Sequence, residues 1–229
     1  MKILYQNVVP YRNYEAYAAA QKTVAEARGM LEDVTFAWLD EPLERFPDGS
    51  PAEMQRIDRD IIGKLQAAHK EYEYLVVGCA LDSGIEVLWR DHRLRAYGAG
   101  EILYRLAAWQ GHNFAVVVPE RSMIPQYEYL LRRYQTLDTF AGFASLELSN
   151  SEMIGDPQRV VDRLRDCIWD FEASSLLDEV IVACTLASAN LAAHGIWKID
   201  GVGIPNLISV PLLFCRMLAE VHDNGSGNR

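Results

Sequence analysis

Two cysteines stand in matching frames, and together they could pass a proton across a carbon atom. Residues 76–83 read Val-Val-Gly-Cys-Ala-Leu-Asp-Ser, and residues 181–188 read Ile-Val-Ala-Cys-Thr-Leu-Ala-Ser. Cys79 and Cys184 are 105 positions apart in a chain of 229 residues, close to half its length. Each follows an apolar strand-like run and a small residue, and each precedes a turn leading toward a helix. Ligands of parallel α/β sheets collect at such strand ends. Backbone N–H groups there stabilise a thiolate, so both thiol pKa values are expected to fall. Two thiols facing each other across a cleft can remove a proton from one face of a carbon and return one to the other. The enolate oxygen formed in between needs preorganised donors. The amides after each cysteine, with the Ser83 and Thr185 hydroxyls, are the candidates, although capping is the commoner role for such residues. An isolated strand cysteine reads as an inert core residue; the matched pair reverses that reading. Cys167 and Cys215 fall in helical patterns and read as core. With no CxxC pair, a disulfide framework is not expected.

The elements that must position these thiols alternate along the chain. Strand-like runs cover residues 2–7, 34–39, 75–79, 114–118, 139–146 and 180–184. Helical patterns cover 14–28, 51–72, 103–109, 123–134, 156–175 and 210–221. Residues 42–50 read as a loop, with Asp48 or Ser50 placed to cap the helix from Pro51. The tail from Asn224 has the composition of disorder. Alternation of this kind predicts an α/β fold with parallel sheets. The shared frame around the cysteines predicts an internal duplication. The chain should thus form two pseudo-symmetric lobes, each a parallel sheet flanked by helices. The active site should lie in the cleft between them. The first lobe would comprise residues 1–96 with the last helix, 205–229, and the second residues 97–204.

Half of the residues are hydrophobic and 24% are charged, which suffices for a buried core. The net charge of −10 argues against nucleic acid or an anionic membrane surface as partner. The start of the chain lacks a secretory pattern, and no run reaches the roughly 18 apolar residues of a spanning helix. A cytoplasmic protein acting on a small molecule, as a homo-oligomer, is expected. Gly98-Ala99-Gly100 lacks the third glycine of a dinucleotide fingerprint and reads as turn chemistry. The five histidines show no metal-binding spacing and read as surface or capping residues. Glu101 reads as a helix cap, and Arg56-Ile57-Asp58-Arg59-Asp60 as a solvated helix face.

Several segments carry a family resemblance. Gly78-Cys79-Ala80-Leu81-Asp82-Ser83-Gly84-Ile85 resembles the Cys-Phe-x-Asp-Pro-Gly-Leu segment of hydantoin racemases, with Ser83 in the place of proline. Tyr97-Gly98-Ala99-Gly100-Glu101 is similar to their Val-Gly-Ile-x-Glu, and Phe114–Val118 to the strand opening the second lobe. Ala183-Cys184-Thr185 is similar to Gly-Cys-Ala, and Gly203-Ile204-Pro205 to Gly-Val-Pro. The sequence thus resembles the aspartate/glutamate/hydantoin racemase superfamily over nearly its whole length. It departs at Asn7-Val8-Val9-Pro10, where the family has Asn-Pro-Asn-Thr, and at Leu207-Ile208-Ser209, where it has Asp-Gly-Val. The resemblance implies a racemase or isomerase without metal or cofactor, with Cys79 and Cys184 catalytic. It also implies substrate contacts from Asn7, Asp82, Ser83, Gly84, Val118 and Thr185. Hydantoin-like or other small carbonyl compounds are the expected substrates. An acidic amino-acid racemase, a diacid cis–trans isomerase and a non-catalytic binding protein on the same fold stay open. Related decarboxylases keep one of the two cysteines, so Cys79 counts against that reaction.

Overall fold

Residues 1–12, 14–40, 51–172 and 176–226 are described by the computed structural model of the chain. Strand β1 (Ile3–Pro10), helix α1 (Glu15–Ala27), β2 (Val34–Leu39), α2 (Pro51–Ala68), β3 (Tyr74–Gly78), the single turn α3 (Ile85–Leu88) and β4 (Ala96–Gly98) build the first half. These four strands pair in the order β2-β1-β3-β4, all parallel. Helix α4 (Ala99–Gln110) leads into β5 (Phe114–Val118), α5 (Ile124–Tyr134) and β6 (Phe140–Ser145). Then follow α6 (Asn150–Gly155), α7 (Pro157–Glu172), β7 (Glu179–Val182), α8 (Thr185–Ala193), β8 (Lys198–Ile199), β9 (Val202–Gly203) and α9 (Ser209–Ser226). The second sheet has the order β6-β5-β7-β9-β8. Its pairing is parallel except for the β8·β9 hairpin at one edge, which the sequence reading did not include.

The strand order repeats. In each half the second strand lies outside the first, the third lies on the first strand's other side, and a cysteine follows that third strand within two residues. The Val-rich runs of β3 and β5 are buried at every position, as strands covered on both faces must be. Gly78, which ends β3, lies against the Tyr5 ring on β1; a Cβ there would fall 2.2 Å from Tyr5 Cε1. The small residue before Cys79 is thus a packing requirement. One apolar cluster joins the two halves, with Tyr5 and Val76 in contact continuity with Val116, Ile181 and Leu212. A smaller cluster under α2 holds Leu4, Ile57, Ile61, Leu65 and Val77.

Several boundaries differ from the sequence reading. Strand β4 crosses the expected lobe boundary at residue 96, and α4 starts at Ala99 rather than 103. Helix α2 stops at Ala68, and α9 continues to Ser226, through the first part of the tail read as disordered. The expected loop at 42–50, with its caps Asp48 and Ser50, lies outside the described residues, as do 173–175 and 227–229. Among the described residues no helix is long and apolar enough to cross a membrane.

Candidate active site

The two cysteines arrive at one cavity by different routes. Cys184 is the N-cap of α8, in extended conformation, and the amides of Leu186 and Ala187 in the first turn point at its sulfur. Cys79 is followed by a tight turn that holds the Leu81 amide 3.4 Å from its Sγ. Both thiols line the same small cavity, of about 50 Å³, closed by side chains of both halves. From the first half come Val8, Val9, Ile57, Leu81 and Ser83; from the second, Pro119, Met123, Tyr127, Thr185 and Leu186. Among the described residues, no Lys, Arg or His stands in this lining.

Burial corrects the expected thiol chemistry. The helix-start and turn amides do favour each thiolate, but removal from water outweighs them. The Cys79 thiol is pushed from its ordinary 9.0 up to about 12, with nearby Asp82, Cys184 and Asp58 adding to the effect of burial. The Cys184 thiol is also raised, against the Ala187 and Leu186 amides. Both are therefore held as neutral thiols when the cavity is empty.

Of the other expected contacts, Ser83 and Thr185 reach this cavity. Ser83 is 4% exposed, and its Oγ makes no hydrogen bond of regular geometry. Asp58 on α2 lies near enough for the hydroxyl to favour its carboxylate. Thr185 leans on the Tyr17 hydroxyl across the lobe boundary. Asn7 is elsewhere: its Oδ1 accepts from Tyr17 Oη at 3.0 Å and Gln21 Nε2 at 2.8 Å, and its Nδ2 donates to Ala37 O at 3.0 Å. The next residues, Val8 and Val9, form the cavity edge instead. Val118 is fully buried in the core, and its neighbour Pro119 makes the contact. Gly84, at φ 74°, starts α3 and faces a second, outer cavity.

Asp82 also turns away from the thiols. Its carboxylate accepts the amides of Gly100 at 2.9 Å and Glu101 at 2.7 Å, at the start of α4, and the Tyr134 hydroxyl at 2.9 Å. It clasps the Cys79 turn to the second half. Burial, with Glu101 close by, still raises its pKa against these three donors. Gly98-Ala99-Gly100, read as turn chemistry, is what makes the clasp possible: a Cβ at Gly98 would sit 2.3 Å from the Asp82 carboxyl. Glu101, at the third position of α4, pairs with Arg105 at 2.9 Å through one oxygen, while its Oε2 is buried with no hydrogen-bond partner; the nearby Gly98 amide favours the carboxylate.

Tyrosines hold the cysteine turns from the second half. Tyr127 Oη donates to Ala183 O at 2.7 Å, beside Cys184, and Tyr104 Oη donates to Ala80 O at 3.2 Å, beside Cys79. Neither tyrosine carries a motif that could have marked it. Ile57 and Asp58, read as part of a solvated face, are a second correction. Arg56 and Arg59 are exposed, but Ile57 is buried against the thiol cavity and Asp58 is half-buried beside it. A helix turned by 100° per residue carries both faces within one charged run.

No family model and no curated protein matches the sequence. Solved structures do match. An allantoin racemase from Klebsiella pneumoniae superposes with a TM-score of 0.78, covering 97% of this chain and 89% of its own at 13% identity. The chain shares the fold of this racemase. An allantoin racemase from Pseudomonas fluorescens matches with a TM-score of 0.72 and 17% identity, over 97% of this chain and 92% of its own. A glutamate racemase from Bacillus anthracis gives 0.64 at 14% identity, over 96% and 82%. The racemase fold therefore embraces neighbours acting on different compounds, and only this chain's own cavity can argue for its substrate.

Proposed function

We propose that this protein is a cofactor-independent isomerase that moves a proton at the carbon next to a carbonyl, between Cys79 and Cys184. The observation that carries this reading is that both thiols, contributed by the two halves of a duplicated fold, line one closed cavity. A substrate carbon held between them has a proton donor or acceptor on each face. Substrate entry displaces water. One thiol first loses its proton to solvent; the thiolate then takes the substrate's proton on one face while the other thiol gives its own to the opposite face, so the pair carries a single negative charge. The Leu81 amide supports the charge on Cys79, and the Leu186 and Ala187 amides support it on Cys184. The Ser83 hydroxyl, which makes no regular hydrogen bond but lies beside the Asp58 carboxyl, turns to donate to the developing enolate oxygen.

The cavity's composition favours a neutral head group, such as a hydantoin ring, over a free carboxylate. Among the described residues nothing cationic lines it, and an unpaired buried carboxylate costs several kcal/mol. This weighs against an acidic amino-acid racemase or a diacid isomerase.

Solvent deuterium exchange at the chiral carbon, followed by NMR over 5-substituted hydantoins, allantoin, aspartate and glutamate, tests the reading. A hydantoin should exchange and racemise, and Cys79→Ala or Cys184→Ala should each slow racemisation by about 10²- to 10⁴-fold. Racemisation unchanged in either variant would remove the two-thiol mechanism. Saturable binding of a hydantoin without exchange would identify a silent binding protein.

A further inference from the structure

Beside the thiol cavity lies a wider one, of about 700 Å³, and the two share Leu81 and Ser83 in their walls. A reacting group held between the thiols has little room in the roughly 50 Å³ inner cavity, and the outer cavity across Leu81 and Ser83 is adjoining space for anything attached to its reactive carbon. The outer walls are formed by the α3 turn on one side, including Ile85 and Val87, and by Pro125, Tyr129 and Leu130 of α5 on the other. These make an apolar sleeve. Its charged side chains, among the described residues, are all acidic. Asp58 has no ion-pair partner among the described residues, while Glu86 is already answered by Arg133 at 3.3 Å and by the Tyr129 hydroxyl at 2.9 Å. Gln126 Oε1 is buried with no hydrogen-bond partner, as is Ser83 Oγ, on a residue only 4% exposed. Asp82 also borders the cavity, but its carboxylate is taken by three donors. Among the described residues the lining contains no Lys, Arg or His. The outer cavity therefore offers a carboxylate without an ion-pair partner and, among these residues, no cation of its own.

We infer that the outer cavity is the subsite for the substrate's side chain, and that it selects a side chain ending in an ammonium or guanidinium cation, with Asp58 setting the preference. This rests on the proton-transfer reading for the head group and adds the chemistry of the substituent. The methylene stem lies along Leu81, Ile85 and Leu130, and the cation reaches Asp58 and Gln126 Oε1. Burial raises the Asp58 pKa while the Ser83 hydroxyl and the Gly84 amide hold it back; a bound cation would supply the missing counter-charge.

Three hydantoins test it, carrying 4-aminobutyl, isobutyl and 2-carboxyethyl groups at position 5. Exchange KM and saturation-transfer NMR binding are measured for the wild type, Asp58→Asn and Gln126→Glu. The wild type should bind the aminobutyl compound at least about tenfold more tightly than the carboxyethyl compound. Asp58→Asn should bring that ratio to about threefold or less, and Gln126→Glu should widen it. A preference for the carboxylate, or a ratio that Asp58→Asn leaves unchanged, overturns the inference. If no compound exchanges, the head-group reading fails, and the binding order alone decides the subsite: the same order supports it, while no order or no binding overturns it.

Discussion

A thiol that removes a proton must spend part of its cycle as a thiolate, yet Cys79 sits where burial pushes its pKa from 9.0 to about 12. A thiol is neutral when protonated, so an upward shift moves thiolate formation to higher pH. At pH 7 the resting thiolate fraction is then about one in 10⁵. Iodoacetamide labelling of Cys79, followed by mass spectrometry, should therefore speed up about tenfold per pH unit from pH 7 to 10 without levelling near 9. A plateau at or below pH 8 would mean that the Leu81 amide prevails over burial. The cysteines themselves were legible, because a repeated frame of Val, Cys, Leu and Ser is hard to obtain from packing alone. Their protonation state was not: the sequence places amides near the sulfur but does not say how much water the partner lobe excludes. Asn7 fails for a related reason. Its side chain is consumed by Tyr17 and Gln21, which lie on a helix whose rotation about its axis fixes that meeting.

At the level of elements, the strand ends were readable and the connections between them were not. Apolar runs gave β3, β5 and β7 to within a residue or two. The start of α4 at Ala99 was missed because two glycines in three positions weaken a helical pattern. The structure shows why they stand there. Asp82 reaches from the Cys79 turn to the first amides of α4, and the helix start must come close enough to be held. A Gly98→Ala substitution places a Cβ 2.3 Å from the Asp82 carboxyl, and the clasp must open. We expect a loss of about 1–3 kcal/mol, read as a fall in melting temperature of about 2–4 °C per kcal/mol. Racemisation should fall further than stability explains, since the displaced turn carries Cys79. A variant as stable and as active as the wild type would show that Asp82 does not position the turn.

At the scale of the molecule, the duplication was visible in eight residues around each cysteine, and the repeated strand order bears the same stamp. What the sequence could not convey is how far the halves depend on each other. Residues of β1 and β3 share one buried cluster with β5, β7 and α9. Tyr104 and Tyr127 grip the cysteine turns on the two sides of the cavity. Tyr5 Oη donates to Leu207 O at 2.9 Å, across 202 positions of sequence. A hinge between independent lobes would show few buried apolar contacts across the boundary, whereas here the boundary passes through the core. The first half closes a small apolar cluster of its own under α2, but the larger cluster spans both halves, so unfolding one exposes the core of the other. The chain should therefore melt in a single transition, with calorimetric and van't Hoff enthalpies equal. Two transitions, or a calorimetric enthalpy well above the van't Hoff value, would show that the lobes fold separately. In that case the cavity between the thiols could open by moving one lobe against the other. With one transition, local movement at Leu81 and Ser83, which line both cavities, is the expected route of substrate entry.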